Sequence, residues 1–350
     1  MSPTFRSMNP GEGPELKKLA QKSFGLIEGL FLFAMRPKKA IVAVVGEKMV
    51  GGFVYQIETA GDKKIGFASF LFTDPAFQGQ GIGKRLIEEG IRRLWEEGCD
   101  VLVTFVRDDN VASWGAFERN GFVLASLSKL ARLVGWPGVA KLCVKTTYWL
   151  SIGHDFYVTL RDEKSTEFYR YKKEGSAGQI AAYVFINILF SLPIAFASGN
   201  MIYAIASAAF VFWGIVLMGY VGTMFSKRKW NFRFTGGGMP VYFAINLAIR
   251  GIFPLIGNWY PSRYENTPEF RRDMAINAIV VWVFLLGLMA TGRIVGAPLQ
   301  VVSEIASFLL IFRCLPIPAF ESSGFGRVFK WNRIVLGLLI AASIALVFVL

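Results

Sequence analysis

Asp74-Pro75-Ala76-Phe77-Gln78-Gly79-Gln80-Gly81-Ile82-Gly83-Lys84 decides how the chain is read. The apolar run Phe67 to Phe72 leads into it and reads as a buried strand. The amphipathic stretch Lys84 to Glu97 leads out and reads as a helix, with Leu86, Ile87, Ile91, Leu94 and Trp95 on one face. On the other face Glu88–Arg92 and Glu89–Arg93 form i,i+4 pairs. Glycines at 79, 81 and 83 let the backbone pass close to a ligand and begin a helix at once. The first turn of that helix carries N–H groups without helical partners and the positive end of the dipole. Such a turn holds a pyrophosphate through main-chain hydrogen bonds.

A second constellation lies downstream. Asn110, Ser113, Phe117 and Gly121-Phe122 are spaced as N-x-x-S-x-x-x-F-x-x-x-G-F, after the apolar strand Val101 to Val106. Together with Q-x-x-G-x-G at Gln78 to Gly83, this pairing resembles the GNAT superfamily of acyl-CoA-dependent N-acetyltransferases. The resemblance implies an α+β fold with a mixed central sheet flanked by helices over residues 1–162. It also implies acetyl-CoA, or another acyl-CoA, as cosubstrate. Gln78, Gly79, Gln80, Gly81, Ile82, Gly83 and Lys84 would hold the pyrophosphate. Main-chain groups of Leu71, Phe72 and Thr73 would orient the acyl-pantetheine arm, with Asn110 and Phe117 on the opposite wall. Two positions depart from the family. Its common tyrosine acid matches Phe117, and the glutamate base of ribosomal-protein-type members matches Phe105. The general acid and base are therefore unassigned.

Earlier in the chain, Thr4 to Met8 reads as a strand, Glu15 to Met35 as a helix, and 40–45 and 49–57 as a hairpin. Two readings stand for the very apolar half Gly25 to Met35: a core helix, or one that meets lipid. Ser128 to Gly153 reads as a basic, apolar insertion lying in the membrane interface or covering the acceptor site. His154, the only histidine, opens the last strand, and a strand-end role outweighs a catalytic one.

Composition sets the second half apart. Hydrophobic residues make up 53% of the 350 and charged residues 18%, with mean hydropathy +0.44, which points to a membrane part. Ser176 to Ser226 is a run of 51 residues without a charge, enough for two spans. Pro240–Ile256, Met274–Thr291, Ile294–Phe312 and Ile334–Leu350 are further candidates. An all-α polytopic bundle with five or six spans is expected over residues 176–350, after a polar linker at 163–175. Six spans put the basic loop 321–333 outside, against the positive-inside rule; a re-entrant Pro240–Ile256 leaves five.

Basic loops such as Lys227-Arg228-Lys229 belong at the cytoplasmic face of a lipid bilayer. No basic stripe interleaved with aromatics points to nucleic acid. Met1 to Arg6 lacks a signal-peptide core, which leaves the first domain cytoplasmic. Cys99, Cys143 and Cys314 form no C-x-x-C. The stretch Leu315 to Ser322 looks like the C-terminal motif of site-2-type intramembrane metalloproteases, but Glu321 replaces the metal-binding aspartate and no H-E-x-x-H exists. No metal is expected. Glu304 and Arg250 inside apolar spans either pair with each other or line a head-group pocket. The expectation is a membrane-tethered N-acyltransferase acting on an amine of a lipid, precursor or protein at the cytoplasmic surface. An acyl-CoA-binding sensor controlling the membrane half is the alternative.

Overall fold

The structure is a computed structural model. It describes the chain except residues 1, 31, 33, 34, 36, 108, 109, 147–153, 163–165, 167–175, 198, 235, 236, 250–252, 263, 264, 266, 316–323 and 350. The side chains of residues 25–30, 111, 112, 194, 195, 197, 239, 240 and 347–349 are also outside the description. Two compact units divide it: Met1–Tyr148 with His154–Tyr171, and Trp149–Gly153 with Lys172–Leu350.

In the first unit the elements run β1 (Thr4–Ser7), α1 (Gly13–Leu30), β2 (Lys39–Val45), β3 (Lys48–Ala60), β4 (Lys63–Thr73), α2 (Ile82–Glu96), β5 (Val101–Arg107), α3 (Val111–Arg119), β6 (Val123–Ala125), α4 (Leu127–Lys145) and β7 (His154–Leu160). Seven strands form one sheet in the order β1-β2-β3-β4-β5-β7-β6, antiparallel except for the central β4–β5 pair. The central strands are apolar on both sides because both faces are covered. Leu16, Leu19 and Ala20 of α1 bury against Val42, Val54 and Phe72 on one face. On the other, α2 packs so closely that a Cβ at Gly51 would lie 2.9 Å from Leu86, and one at Gly90 2.3 Å from the Phe53 ring.

Several expectations change here. Most of the expected insertion 128–153 is a helix packed on the sheet: α4 buries Leu130, Val134, Val139 and Leu142 against Phe67, Val103 and Phe156. The kink at Gly135, followed by Pro137, broke the apolar period and hid this helix in the sequence. The helix at the N-terminus ends at Leu30, and Leu32 and Met35 pack in the sheet core, which favours the core reading where side chains are described. On α2, Arg92 pairs with Glu89 and Glu96, Lys84 with Glu88, and Arg93 with Glu96 and Glu97, a different set from the expected pairs.

The second unit contains α5 (Ser176–Phe190), α6 (Leu192–Ala197), α7 (Met201–Thr223), β8 (Trp230–Phe234), α8 (Met239–Ile249), β9 (Gly257–Pro261), α9 (Pro268–Val295), α10 (Gln300–Cys314), α11 (Phe325–Trp331) and α12 (Arg333–Val349). Among the described residues three stretches are long and apolar enough to cross a membrane: Met201–Thr223, Pro268–Val295 and Ala297–Cys314. Ser176–Phe190 and Arg333–Leu346 are shorter apolar helices. The expected all-α composition is corrected by the antiparallel pair β8–β9. Its aromatics explain it: Phe232 meets Trp259 edge-on at 5.6 Å, and the Trp259 indole N–H donates to Val216 O at 2.9 Å. Pro240–Ile256 is not one span. Its helix stops at Ile249, where Asn246 bonds both the N–H and the O of Phe253, at 2.7 and 2.9 Å. Eleven residues rise about 16 Å, half of a bilayer core of about 30 Å.

Contacts within this unit define two ends. At one, Arg228 on the segment after α7 donates to Asp273 near the start of α9 (3.1 Å), and Arg327 of α11 donates to Asn277 (2.8 Å). At the other, Tyr203 at the start of α7 donates to Pro298 O (2.6 Å), and Arg293 at the end of α9 donates to Leu346 O of α12 (3.0 Å). Small residues bring the helices together: a Cβ at Gly222 would lie 2.7 Å from Asn277 Cα, and one at Gly292 2.6 Å from Ser303 Cβ. Arg250 and residues 316–323, including Glu321 and Ser322, lie outside the described residues. Glu304 accepts from Gln300 Nε2 at 2.9 Å.

Candidate acyl-CoA site

The hydrogen-bonded ladder between β4 and β5 covers only Ile65–Ala68 and Val101–Thr104. Thr104 Oγ1 donates to Ala68 O (3.0 Å) at the last rung. Beyond it β4 continues to Thr73 and β5 to Arg107 without pairing to each other. The opening begins at a bulge. Tyr55 pairs with Ala68 and Val54 with Phe70, so Ser69 is the extra residue. Ser69 Oγ is buried with no hydrogen-bond partner among the described residues. The resemblance implies a splayed strand near Leu71, Phe72 and Thr73; the bulge itself has no residue signature as plain as the glycines.

Alternation then decides which main-chain groups face the opening. Asp74 N–H donates to Val50 O at 2.8 Å. In an antiparallel pair successive residues point alternately toward and away from the partner. Phe70 and Phe72 therefore direct their main chain to β3, and Leu71 and Thr73 direct theirs to the open side. Phe72 is buried, with its ring in the α1 core. Of the three strand residues expected here, Leu71 and Thr73 have their main-chain groups on the open side and Phe72 has its own toward β3.

Past Thr73 the chain is held by Asp74, 1% exposed. Its carboxylate accepts from Lys22 Nζ (3.0 Å to both oxygens) and from Ala76 N–H (3.0 Å), and Lys48 Nζ lies 3.5 Å away. The Lys22 ammonium first, and then the Ala76 N–H, hold its carboxyl below the ordinary carboxylate range. The anchored chain makes a short turn, Pro75–Phe77, and reaches Gln78, Gly79, Gln80 and Gly81, all exposed. Gly79 and Gly81 have φ of +80° and +76°, the left-handed region that favours glycine. Gly81 is the N-cap of α2, and the first helical bond runs from Arg85 N–H to Gly81 O. The N–H groups of Ile82, Gly83 and Lys84 precede that bond and have no helix carbonyl to meet. A Cβ at Gly83 would meet only Thr73 Oγ1, at 3.6 Å. Ile82 turns its side chain into the core.

Asn110 caps α3, its Oδ1 accepting from Ser113 N–H at 3.2 Å. Phe117, on α3, is buried edge-on to Phe122, with ring centroids 5.1 Å apart. Phe105 stands among Phe67 (5.1 Å), His154 (5.3 Å) and Phe156 (6.3 Å). Burial pushes the Cys99 and Cys143 thiols up, away from thiolate nucleophiles. No group of three or more His, Cys, Asp or Glu that could hold a metal occurs among the described residues.

The two strands thus part beside a helix N-terminus whose first N–H groups have no helix carbonyl to meet. Residues 11–122 match the model of the acetyltransferase (GNAT) family. That match assigns a GNAT-type acetyltransferase domain to this part of the chain. The mycothiol acetyltransferase of Catenulispora acidiphila is 29% identical over 100 residues, covering 28% of this chain and 32% of the relative. Human N-alpha-acetyltransferase 30 is 27% identical over 145 residues, covering 35% and 39%. The chain thus spans about a third of the length of these curated relatives. Among solved structures, the ribosomal-protein-S18-alanine N-acetyltransferase from Escherichia coli is similar at 23% identity, covering 36% of this chain and 80% of that one, with a TM-score of 0.31.

Proposed function

We propose that the chain is a membrane-tethered N-acyltransferase that moves an acetyl or other acyl group from acyl-CoA to an amine at the cytoplasmic membrane surface. The observation that carries the reading is the parting of β4 and β5 next to the α2 N-terminus. Bound acyl-CoA supplies the acyl group as an activated thioester. The N–H groups of Leu71 and Thr73 are the donors available along the open edge to orient it. Those of Ile82, Gly83 and Lys84, with the helix dipole, suit the pyrophosphate, and Lys84 adds a cation. Gln78, Gly79, Gln80 and Gly81 form the exposed turn over it, while Asn110 fixes the start of the opposite wall. Phe117 presents no proton donor, so the leaving thiolate takes its proton from water and the acylated nitrogen gives its proton up to water. Catalysis then rests mainly on positioning.

The membrane reading is supported by the apolar helices and by the distribution of charge. Lys227, Arg228, Lys229, Arg271, Arg272, Arg327, Lys330 and Arg333 belong to the end marked by the Arg228–Asp273 and Arg327–Asn277 contacts. Five crossings, with α8 reaching halfway, put that end in the cytoplasm, together with the N-terminal domain by chain connectivity. The basic 321–333 region then obeys the positive-inside rule. A second reading, an acyl-CoA-binding sensor, is favoured by the phenylalanines at 105 and 117.

Sealed vesicles carrying the full chain test the proposal. Labelled acetyl-CoA supplied to the face bearing the basic loops should label an amine acceptor. Labelling only from the opposite face, or no labelling of any amine-bearing lipid or peptide, would overturn it.

A further inference from the structure

The start of α9 and the end of α11, some sixty residues apart in sequence, enclose an open groove of about 340 Å3. Pro268, Glu269, Arg271 and Arg272 line one side, and Lys330 and Trp331 the other. Among the described lining residues three are cationic and one is a carboxylate, and Arg272 also lies 3.5 Å from Asp273 Oδ1. The N-terminus of a 28-residue helix adds the positive end of its dipole. Arginine suits a phosphate through its planar fork and lysine through its compact charge.

Beside the groove the surface turns apolar. Phe329 is 40% exposed, Ile334 77% and Leu338 66%, and the Arg333 guanidinium lies 4.7 Å from the Phe329 ring centroid. Contiguous exposed apolar side chains on a protein surface mark a contact with lipid or another protein. A tryptophan between a cationic groove and an apolar face is the arrangement found at the water–lipid boundary.

We propose that this groove binds the headgroup phosphate of an anionic phospholipid of the cytoplasmic leaflet, with the acyl chains lying along the exposed face of α12. The inference rests on the membrane reading given above. Basic pockets between spanning helices at the cytoplasmic side bind such headgroups. Glu269 refines the class of ligand. A carboxylate on the rim repels a second negative charge, so a singly charged phosphodiester fits better than a phosphomonoester. Phosphatidylglycerol has that chemistry.

The test uses the full chain, purified, delipidated and titrated with phosphatidylglycerol or phosphatidylcholine, with bound lipid read by native mass spectrometry. Phosphatidylglycerol should bind at least about tenfold more tightly than phosphatidylcholine. Arg271→Gln with Lys330→Gln should lower its affinity about tenfold or more, whereas Lys227→Gln with Lys229→Gln, which removes two charges from the same end outside the groove, should change it less than about twofold. Glu269→Gln should strengthen binding, an outcome that a folding defect does not produce. Equal losses in the two double variants would mean diffuse attraction and overturn the site, as would weaker binding by Glu269→Gln. Binding of neither lipid, with release of the chain by alkaline carbonate, would remove the membrane reading as well. Carbonate-resistant protein without headgroup preference would remove only this inference.

Discussion

Phe117→Tyr adds one hydroxyl at the position proposed to stand opposite the acyl-pantetheine arm. Phe117 is 4% exposed and stands edge-on to Phe122, at 71° between ring planes, so the new group enters a packed region. If it reaches the cleft, it protonates the departing sulfur. A positioned general acid is typically worth about 10²–10⁴ in rate. A thiol with a pKa near about 8.5 leaves readily without help, so the gain belongs at or below the low end. We expect kcat to rise about tenfold, with the Michaelis constant for acetyl-CoA little changed. If the hydroxyl is instead buried without a partner, it costs about 1–3 kcal/mol. At about 2–4 °C per kcal/mol for a domain of this size, the melting temperature would fall by about 2–12 °C. Steady-state kinetics and a thermal scan on the same preparation separate the two. A variant with unchanged melting temperature and unchanged or lower kcat would refute the placement of Phe117 beside the sulfur.

Three further outcomes follow from the geometry. Gly81→Ala forces a left-handed residue and should destabilise by about 1–2 kcal/mol while weakening acetyl-CoA binding; Gly83→Ala, with ordinary φ and a neighbour at 3.6 Å, should weaken binding without loss of stability. Calorimetric titration and chemical unfolding read both, and equal stability losses would contradict the assignment. Asp74→Asn should lower stability by about 1–3 kcal/mol at pH 7. Because the folded carboxyl is held below its unfolded value of about 3.9, that difference should shrink as pH falls below about 4, and a difference that grows in acid would refute the anchor. The full chain should resist extraction by alkaline carbonate, and its release would contradict the spans.

The glycine turn, the strand before it, the helix after it and the uncharged run Ser176 to Ser226 were legible because each rests on local chemistry: glycines at alternate positions, an apolar run, a 3.6-residue apolar period, an absence of charge. The bulge at Ser69 was not, since it arises from the register of Tyr55 against Ala68, a pairing made across the sheet. Helix α4 escaped because Gly135 and Pro137 shift the phase of its apolar face between Leu130 and Val139. The end of α8 is set by Asn246, whose side chain meets the Phe253 main chain seven residues on. That contact exists only once the chain has turned back. Phe72 was a site residue only by the resemblance, and alternation directs its main chain to β3 and its ring to the core.

The central claim is that the cleft transfers an acyl group and does more than bind one. Its most direct test is release of free CoA thiol from acetyl-CoA by the full chain in a bilayer, with amine-bearing lipids and peptides offered in turn. We expect at least one amine to release thiol in step with a stable N-acetyl product, and Gly81→Val to abolish both. Saturable acetyl-CoA binding with no amine-dependent release across the panel would contradict transfer and leave the sensor reading in its place.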